Sequence, residues 1–158
     1  MTFLLLMFGS YDSVRTGLVE RIRGKYTLQE IGDGGVAAWF LGMQIQQSEL
    51  GIELLQTAYI EAFCRDIFGI TEEVSSITTP FDPNCKLSKA DLPISEKDKK
   101  LCSSYKFREA CGKFIYLRHT KPECAYAISQ VCRWAATPTV AAWKQCKRIA
   151  QYAAFNTS

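Results

Sequence analysis

Apolar positions follow different rhythms in different parts of this chain. Residues 3–8 form an unbroken apolar run, Phe3 to Phe8, closed by Gly9 and Ser10, the pattern of a short buried strand. Val14, Leu18 and Ile22 then recur every four residues, with Arg15, Glu20, Arg21 and Arg23 outside that stripe. This spacing predicts a helix that Asp12 or Ser13 can cap and Gly24 ends. Residues 26–31 predict a short strand broken by Gly32, Asp33, Gly34 and Gly35. Residues 38–47 and 51–56 flank the polar turn Ser48-Glu49-Leu50-Gly51, which predicts a β-hairpin. Thr57 stands where a helix cap is needed, ahead of an apolar stripe of Tyr59, Ile60, Phe63, Ile67 and Phe68 that Gly69 stops.

A second regime begins near residue 71. Residues 71–92 are rich in Ser, Thr, Pro and Asp and predict a long surface loop that separates two halves. Beyond it the pattern is helical throughout, opening with a capping box at Ser95 and Asp98. One helix is predicted over 104–117. A second starts at Pro122 with Ala125, Ile128, Cys132 and Ala135 on one face; a third starts at Pro138 with Trp143, Cys146, Ile149 and Ala150 inward. The expected fold class is therefore α+β: a small N-terminal β-hairpin and helix portion, followed by a mainly helical bundle.

Composition supports a packed domain and excludes several classes. The 158 residues are 47% hydrophobic and 22% charged, with ten Gly and five Pro, unlike collagen-like or low-complexity chains. No apolar run approaches the roughly 18 to 20 residues of a membrane span, so no membrane partner is expected. The opening run lacks the basic flank of a secretory signal.

Charge is more informative in its distribution than in its total of +3. Residues 1–102 carry 10 Lys+Arg against 14 Asp+Glu, whereas residues 103–158 carry 9 against 2, a net +7 in the C-terminal third. Such an excess, with Tyr116, Tyr126, Trp134, Trp143 and Tyr152 interleaved, suits phosphate backbones and bases; the competing reading is solvated helix faces with the aromatics in the core.

The seven cysteines form an odd set without a Cys-x-x-Cys pair and read as reduced thiols that mostly pack as small hydrophobes. A zinc site of Cys111, His119, Cys124 and Cys132 matches no compact ligand spacing, and no metal ligands are assigned. His119 has no partner that makes it a general base and reads as a surface histidine before Pro122. The Gly32 to Ala37 stretch fits Gly-x-Gly-x-x-Ala, but a strand rather than a helix follows, so it is read as a turn.

Two ordered blocks take the reading further. Trp39-Phe40-Leu41-Gly42-Met43-Gln44-Ile45, then Gly51-Ile52-Glu53-Leu54-Leu55-Gln56 and Tyr59-Ile60, resemble the "FLG-x-x-I … GI-x-L-x-Q-x-x-YI" signature of copia-type retrotransposon reverse transcriptases. Tyr105, Tyr116-Leu117, Lys121-Pro122-Glu123, Ala125-Tyr126-Ala127-Ile128-Ser129, Arg133, Pro138, Trp143-Lys144, Lys147-Arg148-Ile149 and Tyr152 resemble the later block of the same Pol polyproteins. The resemblance implies that residues 1–70 are a palm remnant with a primer-grip-like hairpin and the following helix. Residues 71–94 are then a linker, and 95–158 a basic region like the thumb and connection.

That family is an RNA-directed DNA polymerase whose Asp side chains hold two Mg²⁺ ions. Its Asp pair would fall near Phe3 and Leu4, which cannot ligate a hard cation. The closing residues 153–157 also depart from the family's "YL-x-GT". The chain is accordingly expected to be a degenerate fragment with no catalytic residue and no cofactor of its own. By resemblance its partners are an RNA/DNA template-primer duplex and the rest of a Pol polyprotein or an intact polymerase. The setting so implied is intracellular: cytoplasm, virus-like particles or nucleus. The residues implied in nucleic-acid contact are Trp39, Phe40, Leu41, Gly42 and Met43 at the hairpin, and Lys113, Arg118, Lys121, Arg133, Lys144, Lys147 and Arg148 on the helices. For Trp39, Phe40 and Leu41 the alternative is a hydrophobic packing anchor. For the whole chain it is a non-catalytic helical module that binds protein through residues 105–152.

Overall fold

A computed structural model of the chain describes residues 12–27, 39–48, 51–71, 77–93 and 95–155. It divides into two compact units, Met1–Leu55 and Gln56–Ser158. The fold class is α+β with mainly helical content.

In the first unit, helix α1 spans Asp12–Arg23, as the fourfold spacing requires, and its stripe residues Val14 and Leu18 are exposed. The strand expected at 3–8 and the glycine cluster at 32–35 lie outside the described residues. Of the strand expected at 26–31, only Tyr26 and Thr27 are described, and neither is in a strand.

The sheet contains β1 (Trp39–Phe40), β2 (Met43–Ser48) and β3 (Gly51–Leu55), antiparallel in the order β1-β2-β3. The hairpin expected around Ser48 is present, with Ser48 opposite Gly51 and Gln44 opposite Leu55. The strand expected over 38–47 is instead cut by a second reversal at Leu41 and Gly42, which pairs Phe40 with Met43 and Trp39 with Gln44. Gly42 alone does not signal such a turn, because the residue before it is a leucine rather than the Asn or Asp that usually precedes it.

The second unit opens with α2 (Thr57–Phe68), whose N-cap is Gln56 rather than Thr57. Gln56 makes no side-chain cap; its Oε1 accepts a hydrogen bond from Thr120 Oγ1 at 2.7 Å. At the other end Gly69 adopts φ 63°, and the N–H groups of Gly69 and Ile70 donate to the Arg65 and Cys64 carbonyls. This closure needs a left-handed residue, hence glycine.

Helix α3 (Glu96–Ser104) begins at Ser95, whose hydroxyl accepts from the Asp98 N–H at 3.1 Å. The segment expected to be helical from 104 onward is interrupted at Tyr105, which is extended, and α4 spans Phe107–Leu117. Tyr105 leaves the helix to stack its ring on Trp143, with centroids 4.6 Å apart and planes 7° from parallel. Such tertiary contacts override local helix preference.

A 3₁₀ turn at Pro122–Cys124 leads into α5 (Ala125–Cys132). Its buried face is Ala127, Ile128 and Val131, continuous with Cys124; of the expected face of Ala125, Ile128, Cys132 and Ala135, Ile128 is buried, Ala125 and Cys132 are half-buried, and Ala135 lies beyond the helix, which stops at Cys132. Helix α6 (Val140–Phe155) is capped by the fully buried Thr139, whose Oγ1 accepts from the Ala142 N–H at 3.0 Å.

The core of this unit gathers around α6, which packs against α2, α3 and α5, while α4 packs against α2 and α5. Phe63 meets Phe114 edge to face at 5.0 Å, both fully buried. Trp143 is enclosed by Tyr105, Phe68 and Phe107.

The long loop carries no strand or helix over 77–88, as expected, followed by a 3₁₀ turn at Lys89–Asp91. It is docked, however, rather than merely crossing the surface. Phe81 and Leu87 pack on the core, and the buried Gln145 accepts the Asp82 N–H through Oε1 at 3.1 Å. Arg148 donates from Nε to the Thr79 carbonyl at 3.0 Å and from Nη2 to Thr79 Oγ1 at 2.9 Å.

Replacing the buried cap, Thr139→Ala, should cost about 1–2 kcal/mol of stability in urea unfolding, with Thr139→Ser retaining most of it. A second expectation concerns pH. Burial pushes the thiol of Cys64 up to about 11, that of Cys124 to about 12 and the phenol of Tyr59 to about 12. Folding therefore favours their neutral forms; this contribution is complete below the ordinary values of 9 and 10 and is lost as pH rises through the folded values. The urea midpoint should fall steadily from about pH 9 upward.

Candidate nucleic-acid interface

The hairpin residues singled out in the sequence form one local structure. Trp39 and Phe40 are β1, Leu41 and Gly42 are the two-residue turn, and Met43 opens β2. Both turn residues have positive φ, 51° at Leu41 and 79° at Gly42, the signature of a type I′ turn that matches strand twist. Glycine adopts this freely, whereas a leucine held there costs roughly 1–2 kcal/mol because its Cβ crowds the following carbonyl. Trp39 is 51% exposed and Leu41 64%, with Phe40 and Met43 half-buried. The tip therefore presents two large apolar side chains to solvent, one of them in a disfavoured backbone conformation.

The basic residues lie on several elements. Lys113 sits within α4, its ammonium 5.6 Å from the Tyr59 ring centroid, while the Tyr59 hydroxyl donates to the Lys113 carbonyl at 3.1 Å. Arg118 ends α4 and is exposed. Lys121 is half-buried at the start of the 3₁₀ turn, and Arg133 is exposed after α5, donating to Gln130 at 3.2 Å. Lys144 and Lys147 are exposed on α6, opposite its buried stripe of Ala142, Cys146, Ile149 and Ala153. Arg148 shares their sector by helical spacing, but its guanidinium is engaged with Thr79.

The interleaved aromatics divide differently from the charges. Trp143, Trp134 and Tyr152 pack against the core and Tyr116 lies edge-on to Tyr59 at 4.9 Å; of the five, only Tyr126 is exposed, at 68%. Most of the aromatic set thus does the work of packing. His119 is exposed in the turn after α4, 5.9 Å from the Tyr116 ring centroid. Among the described residues, no three His, Cys, Asp or Glu side chains are grouped to hold a metal ion. Nor is any helix among them long and apolar enough to cross a membrane.

Sequence reasoning passed over Gln145 and Thr79, which decide what Arg148 and the loop can do. The signal was present in Gln145, a polar residue on the otherwise apolar inner face of α6, where a buried amide needs a partner.

Comparison with known proteins identifies relatives. Over 118 residues, or 73% of its length, the chain is 29% identical to the retrovirus-related Pol polyprotein from transposon RE1 of Arabidopsis thaliana. It is 25% identical over the same share to that from transposon RE2. Over this part of its length the chain is similar to transposon Pol polyproteins. An uncharacterized mitochondrial protein of Arabidopsis thaliana is 26% identical over 94% of the chain. The chain spans 57% of that mitochondrial protein and 7% of each Pol polyprotein. No family model and no solved structure matches it.

Leu41→Asn, which places the preferred Asn-Gly pair in the turn, should stabilise the β1–β2 pairing by about 1 kcal/mol. Slower amide exchange at Phe40 and Met43, the pair that exchanges hydrogen bonds across the turn, is the expected readout, and Leu41→Val should speed it.

Proposed function

We propose that the chain is a piece of a retrotransposon RNA-directed DNA polymerase that retains contact with an RNA/DNA template-primer duplex and performs no nucleotidyl transfer itself. The observation that carries this reading is the pair Lys144 and Lys147, side by side on the solvent face of α6 within a C-terminal third of net charge +7. Two lysines one helical turn apart can each neutralise a phosphate along a duplex backbone, releasing counterions. Lys113, Arg118, Lys121 and Arg133 extend the basic character across neighbouring helices, and the exposed Trp39 and Leu41 offer apolar surface to sugars and bases at the hairpin tip. Arg148 serves the fold in this reading, since its guanidinium holds Thr79.

The negative part of the proposal rests on chemistry. Transfer of a nucleotide needs carboxylates to hold two hard cations, and Phe3 and Leu4 stand where the family's pair would fall. The protein partner this reading implies is the remainder of a Pol polyprotein or an intact polymerase.

Fluorescence anisotropy with an RNA/DNA hybrid tests the binding claim. Affinity should fall steeply with salt, and Lys144→Gln with Lys147→Gln should weaken binding irrespective of sequence and reduce the salt slope by about one per lysine. Absence of binding at low salt would favour the helical protein-binding module instead. Template-directed primer extension in Mg²⁺ by the isolated chain would overturn the claim of no transfer.

A further inference from the structure

The half-buried Arg148 of α6 is hydrogen-bonded to neutral partners, both of them on one residue of the docked loop. Its Nε donates to the Thr79 carbonyl at 3.0 Å and its Nη2 to Thr79 Oγ1 at 2.9 Å. Among the described residues no carboxylate pairs with this guanidinium, the ion pairs there being Arg65 with Asp66 and Lys99 with Glu96. A planar fork of charged donors, partly withdrawn from water, is best matched by carboxylate or phosphate oxygens. Here it meets a hydroxyl instead.

That hydroxyl belongs to one of two Thr-Pro pairs in the chain, Thr79-Pro80 and Thr137-Pro138. Residues 77–79 carry no helix or strand, Thr78 is exposed, and a residue before proline is biased to extended backbone. Proline-directed protein kinases phosphorylate Ser or Thr in this setting. Thr137 differs in that it sits in the tight turn after α5, its N–H donating to the Trp134 carbonyl at 3.1 Å.

We propose that Thr79 is a phosphorylation site for a proline-directed kinase, and that Arg148 is the residue that holds the added phosphate. Thr79 Oγ1 attacks the γ-phosphorus of ATP, the bond to the β-phosphate oxygen breaks and ADP leaves. The hydroxyl proton passes to the base of the kinase, and one P–O bond replaces another. The product brings a charge of about −1.5 to −2 to a hydroxyl that Arg148 already touches, and turns a neutral contact into a charge-assisted one. Lys144 lies one turn earlier on α6 and adds positive charge on that side. Asp82, the nearest acid along the loop, has its Oδ1 engaged by the Asn84 N–H at 2.9 Å. The modification therefore clamps the loop to α6 rather than expelling it, whether or not the chain contacts a nucleic-acid duplex.

The test uses the full chain, phosphorylated with a cyclin-dependent kinase, ATP and Mg²⁺ and mapped by mass spectrometry. Thr79 should be the main acceptor. In the phosphoprotein, amide exchange at Asp82, whose N–H is held by Gln145, should slow about tenfold relative to the unmodified chain. The ³¹P titration midpoint of the phosphothreonine should lie about half a unit or more below that of a synthetic phosphopeptide of residues 77–88, itself near pH 6. Both effects should vanish in Arg148→Gln. The proposal is overturned by modification of Thr137 in place of Thr79, by no incorporation at Thr79, by unchanged or faster exchange at Asp82, or by a midpoint equal to that of the peptide. These readouts come from the wild-type chain, so they decide the matter even where Arg148→Gln folds poorly.

Discussion

Close approach to α6 is the constraint on which the helical unit depends. Its inner face is built from Ala142, Cys146, Ala150 and Ala153, with Ile149 as the one large aliphatic residue and Gln145 as the one polar residue among them. Small side chains let neighbouring backbones come near, and the contacts with α2, α3 and α5 follow from that. The Cys64 thiol donating to the Ala150 carbonyl at 3.3 Å shows how close α2 lies to this stripe. Bulk is supplied from the facing helices instead, where Phe63, Phe107 and Phe114 fill the space that α6 leaves. An enlarged side chain at Ala142 or Ala150 would meet a surface already packed to interior density.

This division of labour explains what could be read in the sequence. Helices with strong periodicity and punctuation were legible: α1 ends before Gly24, α2 stops at Gly69, and α3 begins at Ser95. What was not legible depended on distant partners. Tyr105 is an acceptable helix residue and leaves the helix for a ring in α6; Leu41 is a good strand residue and is forced into a turn. Neither departure has a local signal, because the favourable contact in the first case is 38 positions away and in the second the preferred Asn or Asp is absent. The face of α5 was legible at Ile128, but the helix is shorter than its apolar pattern, so Ala135 lies beyond its end.

For the candidate interface, the basic third of the chain was visible from composition, but composition weighs every cation equally. Packing separates them. Lys144 and Lys147 extend into solvent, Lys113 lies against Tyr59, and Arg148 is held to the loop. The aromatics show the opposite bias, since residues that looked interleaved with charge are largely the core on which the charged helices rest. Over 73% of its length the chain is similar to transposon Pol polyproteins, of which it spans 7%.

The docking of residues 77–88 has a consequence for the order in which the molecule can form. Its anchors, Gln145 and Arg148, lie 63 and 69 positions further along the chain than Asp82 and Thr79. Contacts of that separation pay their loop-closure entropy late, after the helices they rely on exist. During synthesis the segment leaves the ribosome long before its partners have been made, so it must wait unstructured while α3, α4 and α5 emerge. The arrival of α6 then completes the core of this unit and settles the loop in one step, so the helices before it stay exposed to misassembly until α6 has been made.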